Sequence, residues 1–324
     1  NAGDIALGNG PTTDVAIADL NGDSEADLVI GNFGAVNRVH YNLGGDVLAF
    51  DANNAAFAIL EGTKGQRGAS VQEIGDRADI VFLSLPGGPA VQQVCLGAEG
   101  LLSGNPRVRA IVDLSTTTVD TARKVAAELA ERGVAFADAP VARTREAAQR
   151  GELSLMVGAS KELFDEVSPM LHYVGSDVTH CGEVGCGQVV KLINNALVFE
   201  HSMALAEMMV LGERAGVKPS TLLDAVSKGS GDSFVLRNHG RKAMLRRDFP
   251  EKSFPPEYVL KDLQYVLELA GQMNLTAHVT ELAQRYYTST AERGWSGRYF
   301  PAVIEVIDRN IGPAPAPVPT EKAQ

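Results

Sequence analysis

The sequence predicts an α/β fold: a doubly wound parallel sheet followed by an all-α C-terminal domain. Three observations carry this expectation. Short, nearly continuous apolar runs recur at residues 46–51, 79–85, 110–114 and 134–137, as strands buried on both faces of a parallel sheet require. Helical texture separates them, in the strand–helix alternation of doubly wound proteins. Beyond about residue 186 the β-branched runs give way to Leu, Ala and Glu, the texture of a helical domain. A chain of 324 residues is long enough for two such domains.

Taken in order, the first run ends on Asp51, and the second is stopped by Pro86-Gly87-Gly88. The third leads into Ser115-Thr116-Thr117-Thr118, a cluster suited to capping a helix. That helix is expected over 121–132, where Ala122, Val125, Ala126 and Leu129 share a face and Gly133 ends the pattern. The fourth run is closed by Pro140, and a long helix over 188–215 stops at Gly216. Alternating prolines from Pro313 to Pro319 allow neither helix nor sheet and suggest a disordered tail over 312–324. The expected division is therefore an atypical segment 1–45, a doubly wound α/β domain 46–182, a helical domain 183–311 and the tail.

Composition narrows the function classes. Forty acidic against 29 basic residues, a net charge of −11, leave no broad basic face for nucleic acid. The apolar runs fall far short of the ~20 residues that cross a bilayer. Three cysteines make no disulfide framework, no C-x-x-C pair occurs, and the six histidines show no metal-ligand spacing, so no metal is expected. A soluble, cytoplasmic enzyme is the expectation.

Residues 14–31 resemble one repeat of the FG-GAP or VCBS calcium-loop propellers. Asp19, Asn21, Asp23 and Asp27 stand in the spacing D-x-N-x-D-x-x-x-D, which can wrap a hard cation. A single propeller repeat cannot bury its own core, and a solvated acidic turn is the alternative reading. This segment also has to supply the first nucleotide turn, for which Gly31 and Gly34 are the candidates, followed by a short helix over 35–43. Val29 stands where a tight-turn glycine is usual and hinders close approach by phosphates.

Chemistry concentrates at Gly185-Cys186-Gly187-Gln188-Val189-Val190-Lys191-Leu192-Ile193-Asn194-Asn195. Lys191 and Asn195 are four apart and share one helix face. Apolar flanks make Lys191 a poor surface lysine, and a lysine in low dielectric becomes a usable general acid or base near neutral pH. A solvated charge is the competing reading. The run G-x-G-x-x-x-K-x-x-N-N resembles the catalytic signature of the β-hydroxyacid dehydrogenases, the 3-hydroxyisobutyrate dehydrogenase-like family. Other landmarks fall in that family's order: Leu83-Ser84-Leu85-Pro86, Asp113-Leu114-Ser115-Thr116, Asp138-Ala139-Pro140-Val141, Leu155-Met156-Val157-Gly158 and Leu260-Lys261-Asp262-Leu263. The resemblance covers about residues 46–308 and implies a Rossmann domain joined by a long helix to an all-α domain.

Carried over residue by residue, the resemblance makes Lys191 the proton donor in reduction and acceptor in oxidation. Asn195 would hold the substrate, Asn194 would support packing, and Ser115 would lie between nicotinamide and substrate. Leu85 and Pro86 would border the cofactor, and Lys261 would meet the cofactor or the anionic end of the substrate. Lys191 also separates the chain from the related imine reductases, which lack that lysine. Asp51, at a strand end 20 residues after Gly31, is suited to accept from the adenosine ribose, and no Arg follows in 52–55, so NAD is favoured over NADP. Where the family usually reads P-V-S-G-G, this chain has Pro140-Val141-Ala142-Arg143-Thr144. Arg143 and Thr144 offer a guanidinium fork and a hydroxyl for a carboxylate, sulfonate or phosphate; the bland alternative pairs Arg143 with Glu146. The implied partner is a small anionic hydroxyacid or semialdehyde, and the implied assembly a homodimer or homotetramer. An impaired cofactor-binding relative, or a fusion with an N-terminal calcium loop, stays open as the alternative.

Overall fold

Three of the four expected apolar runs assemble into one parallel core. In the computed structural model, which describes residues 14–16, 48–54, 56–57, 66–144, 147–148, 150–251 and 253–311, β4 (Ile80–Leu83), β5 (Ala110–Asp113) and β6 (Ala135–Asp138) pair in parallel. Every side chain of β4 and β5 is buried, which is why those runs lack polar alternation. The register aligns Leu83, Asp113 and Asp138, bringing two carboxylates to the same carboxyl edge of the sheet. Beyond β6, β8 (Leu153–Gly158) runs antiparallel to β6 and to β7 (Val141–Ala142), and β9 (Gly175–Gly182) returns parallel to β8.

The remaining run departs from expectation. It forms β2 (Leu48–Asp51), which lies antiparallel to β1 (Asp14–Ala16) and parallel to β3 (Gln66–Arg67) in a separate three-stranded sheet. Joining it in parallel to β4 would require an intervening strand running the same way, and Asp14–Ala16 runs opposite to β2. The calcium-loop candidates Asp19, Asn21, Asp23 and Asp27, the turn glycines Gly31 and Gly34, the helix expected over 35–43 and the tail 312–324 lie outside the described residues.

Among the described residues, helices α1 (Val71–Arg77), α2 (Gly88–Leu96), α3 (Val119–Ala130) and α4 (Lys161–Leu171) alternate with the strands. The cap-rich run works as anticipated. Thr118 Oγ1 accepts from Thr121 N at 3.1 Å, and α3 buries Val119, Ala122, Val125 and Leu129. Strand β9 was not legible in advance, because its Ser176, Asp177, Thr179 and His180 leave no apolar run.

The long helix α5 (Cys186–Arg214) ends at Gly216, whose φ of 92° is a left-handed stop. After it come α6 (Pro219–Val226), a π-helical stretch Leu236–Met244, α7 (Pro256–Gln272), α8 (His278–Thr290) and α9 (Val303–Asp308). Phe199, Tyr287 and Phe300 meet in the core of this all-helical part, with Phe199 edge-on to the other two rings. The chain divides into two compact units after Ile193, and within the first of them the first turn of α5 docks on β6 and β8. No helix among the described residues is long and apolar enough to cross a membrane.

Candidate active site

The start of α5 is held by a carboxylate. Asp138, at the end of β6, accepts from Gly185 N at 2.6 Å through Oδ1 and from Gln188 N at 2.7 Å through Oδ2. Two otherwise orphaned amides of the helix's first turn are thereby satisfied by an anion placed where the helix dipole favours one. The glycines of the motif serve this docking. Gly185 has φ 92°, and a Cβ at Gly187 would overlap the carbonyl oxygens of Met156 and Asp138.

Gln188 then ties the helix to the loop after β5. Its side-chain Nε2 donates to Ser115 O at 2.7 Å, and its Oε1 accepts from Thr117 N at 3.1 Å. Ser115 is itself buried: its Oγ accepts from Leu85 N at 2.8 Å, and its own N donates to Asp113 Oδ1 at 2.9 Å. The structure therefore brings together Ser115, Leu85 and the start of α5. Burial pushes the Asp113 carboxyl up to about 7, against the pull of its hydrogen bonds from Ser115, and the neighbouring Asp138 adds to the rise. Burial likewise pushes Asp138 up to about 7, opposed by the amides of Gly185 and Gln188.

Lys191 lies one turn further along α5 and is buried, as its apolar flanks predict. Asn195 follows one turn later, also buried. Its Nδ2 donates to Asp262 Oδ2 at 2.7 Å, while its Oδ1 accepts from Asn194 at 3.1 Å. Asp262 stands on the buried face of α7 with Val259 and Leu263. Its other oxygen has no hydrogen-bond partner, and Lys261 Nζ sits 3.4 Å from it, with the ring of Tyr265 at 5.6 Å from the same amine. Asn195, Asp262 and Lys261 thus form one group.

Asp51 is buried at the end of β2. One oxygen accepts from Asn53 N at 2.6 Å, and the other has no partner, an orphaned acceptor suited to a ribose hydroxyl. The residues present therefore fit a dinucleotide at both described ends, Asp51 and the Leu85–Ser115 pair. The fold also brings Arg67 into the neighbourhood: β3 pairs Arg67 with Ala49, and its guanidinium bonds Asn54 Oδ1. No Arg follows Asp51 in 52–55, yet the fold sets one on the neighbouring strand.

Arg143 is engaged within its own sheet. Its fork donates to Glu152 O at 2.7 Å, Ser176 Oγ at 2.9 Å and Asp177 Oδ2 at 2.6 Å, so the donors expected to meet a substrate anion are engaged by β8 and β9. Its φ of 89° is left-handed, which explains why glycine suits this position and why a side chain here stores strain. Thr144 Oγ1 accepts from Ala147 N at 3.4 Å. Sequence reasoning assigned no role to Gln188, Asp138, Asp113 or Asp262. The available signals were a carboxylate in the apolar register of α7 and polar residues closing buried strands.

Two family models cover most of the chain. Residues 31–182 match the NAD binding domain of 6-phosphogluconate dehydrogenase, and residues 185–307 match the domain described as NAD-binding of NADP-dependent 3-hydroxyisobutyrate dehydrogenase. The chain is 33% identical over 266 residues to 2-(hydroxymethyl)glutarate dehydrogenase of Eubacterium barkeri, covering 82% of this chain and 88% of that one. It is 28% identical over 239 residues to 2-hydroxy-3-oxopropionate reductase of Escherichia coli, covering 74% and 81%. The crystal structure of 3-hydroxyisobutyrate dehydrogenase from Salmonella typhimurium superposes with a TM-score of 0.68 at 27% identity, covering 81% of this chain and 90% of that one. The chain belongs to the β-hydroxyacid dehydrogenase family of NAD(P)-dependent oxidoreductases.

Proposed function

We propose that the protein interconverts a small, anionic β-hydroxyacid and its semialdehyde or keto form, with Lys191 as general acid and base. The observation that carries this reading is a buried lysine one helical turn before an asparagine held by a buried carboxylate. NAD(P), when bound, supplies or accepts the hydride. Lys191 Nζ gives a proton to the carbonyl oxygen in reduction and takes it back from the hydroxyl in oxidation. Asp262 fixes one amide hydrogen of Asn195, leaving the other to hold the substrate oxygen beside Lys191. Ser115 borders the reacting centre, and Lys261 offers positive charge to the substrate's anionic end. Arg143 is assigned to the loop rather than the substrate, and Thr144 to the turn that follows.

The names of the relatives, a hydroxymethylglutarate dehydrogenase and a hydroxy-oxopropionate reductase, support a short hydroxyacid substrate. The free oxygen of Asp51 supports NAD over NADP, since a carboxylate accepts from a ribose 2′-hydroxyl and repels a 2′-phosphate. Lys191→Ala tests the reading. Turnover of a hydroxyacid panel should fall by about 10³-fold, within the range general acid–base groups supply, while the NADH dissociation constant from fluorescence titration stays within about threefold. Retained turnover overturns the role of Lys191, and failure to bind either NADH or NADPH overturns the enzyme reading itself.

A further inference from the structure

The loop that carries Ser115 is not held by the sheet alone. Strand β5 closes its pairing with Leu114 N donating to Leu83 O and Ala139 N donating to Asp113 O, each at 2.7 Å. Just beyond, Ser115 and Thr117 are both buried, where an unmatched carbonyl or amide is costly. Ser115 O and Thr117 N flank Thr116 as the pair of groups that a neighbouring parallel strand would engage. Their partner is instead a side chain: Gln188 donates from Nε2 to Ser115 O at 2.7 Å and accepts at Oε1 from Thr117 N at 3.1 Å. A primary amide offers a donor and an acceptor side by side, which an ionised carboxylate or an apolar chain does not.

The same residue begins the turn that leads to Lys191. Gln188 N donates to Asp138 Oδ2 at 2.7 Å, and Lys191 stands three residues on, a neighbour on the helix surface. Asp138 grips backbone amides, so it holds the helix start whatever side chain residue 188 carries. The side chain of Gln188 is what carries that placement across to the loop. Ser115 in turn meets the end of β4 through Leu85 N. Direct bonds therefore run from Leu85 through Ser115 and Gln188 to the turn before Lys191. Docking and alignment are separable: Asp138 does the first, and one buried amide does the second.

We propose that Gln188 is a positioning residue, whose side-chain amide holds the loop of Ser115 in register with the helical turn of Lys191. The inference rests on the reaction proposed above, in which Ser115 borders the reacting centre and Lys191 handles the proton. Both must then face one substrate at a fixed spacing, and a misplacement of about 1 Å costs about 10²-fold in rate. Gln188 acts through these two residues and touches no reacting atom.

Gln188→Met tests the proposal, because it keeps the length of the side chain and removes both bonds. Without any ligand, hydrogen–deuterium exchange over residues 114–118 should quicken by about tenfold, while 186–192 keeps the protection that Asp138 supports. With NADH and the best substrate of the hydroxyacid panel, single-turnover hydride transfer should slow by about 10²-fold at unchanged amplitude, and the NADH dissociation constant should stay within about threefold. A merely structural role would lower the amplitude, which counts active molecules, and leave the rate alone. If the methionine variant does not fold, Gln188→Asn carries the test: it keeps the amide, falls one methylene short of the loop, and should slow transfer by more than about tenfold. Exchange at 114–118 as in the wild type, a wild-type rate, or a lowered amplitude at a wild-type rate would each overturn the inference. Lys191→Ala separates this failure from that of the reaction. If Lys191→Ala is inactive and Gln188→Met transfers hydride normally, only the alignment by Gln188 falls. If Lys191→Ala keeps its turnover, the reaction falls and takes the alignment with it.

Discussion

The surroundings of Ser115 and of Asp51, the two places proposed to meet a dinucleotide, are built in opposite ways. Around Ser115, Leu85, Thr117, Gln188 and Asp113 are joined by hydrogen bonds of 2.7 to 3.1 Å and anchored to parallel strands in fixed register. Around Asp51, the strand belongs to a separate three-stranded sheet, one carboxylate oxygen is unpartnered, and an exposed arginine stands on the neighbouring strand. The first region is over-determined and intolerant of change. The second has room to be retuned without loss of the fold.

The sharpest way to break this contrast is on the tight side. Gly187→Ala places a methyl group against two carbonyl oxygens, neither of which belongs to a flexible side chain. Undocking the start of α5 should cost about 3 kcal/mol, at the upper end for a single substitution, visible as a lower denaturant midpoint. Unchanged stability would mean that the helix docks differently.

On the loose side the expected effect is smaller and specific to the cofactor. Asp51→Ser should weaken NADH binding by about tenfold, the equivalent of one lost hydrogen bond of about 1.4 kcal/mol, and strengthen NADPH binding. Arg67 is the cation available to the 2′-phosphate, so adding Arg67→Ala should abolish the NADPH gain. An equal loss for both cofactors from Asp51→Ser would show that the carboxylate does not face the ribose.

A third comparison uses protons. The folded-state value of about 7 for Asp113 lies above its ordinary 3.8, so the native state keeps a proton that the unfolded chain sheds between these values. The contribution to stability is thus largest at low pH and is lost as pH rises through about 7. Asp113→Asn removes this loss. The melting temperature of the variant, relative to wild type, should climb from about pH 4 to about pH 7 and level off above about pH 8. Measuring the difference avoids His239, which burial pushes down to about 4 and which therefore stabilises in the opposite direction as pH rises. A flat difference would mean that Asp113 ionises normally.

The smallest effect is expected at Arg143. Arg143→Gly loses an exposed ion pair with Asp177 and exposed hydrogen bonds to Glu152 O and Ser176 Oγ, but relieves a left-handed φ. The two contributions are small, because the lost contacts are solvent-exposed, and opposite in sign. Stability should stay nearly unchanged, and the Michaelis constant should shift by less than about threefold. A loss of apparent substrate affinity by more than an order of magnitude would return Arg143 to the substrate.

What could be read in advance depended on how local the cause was. The buried strands 80–83, 110–113 and 135–138, the capped helix α3 and the long helix α5 follow from apolar runs, caps and spacing, and each is present. Lys191 and Asn195 were legible because four residues on a helix bring them to one face whatever surrounds them. Gly185 and Gly187 belonged to the same motif, but their purpose became clear only with Asp138 and Met156 beside them. Roles for Gln188 and Asp262 were not legible, because their partners lie 67 to 73 residues away. Arg67 was missed for the same reason, and the partners that β8 and β9 supply to Arg143 were equally out of reach.

By itself, then, the sequence determined the alternation of elements, the family signature and the Lys191–Asn195 pairing on one helix face, since all three are set by side-chain periodicity within a few helical turns or strand residues. Only the tertiary structure decided which carboxylates are buried and which arginine is engaged. Those outcomes depend on which distant backbone each side chain meets, and a one-dimensional pattern does not encode that distance.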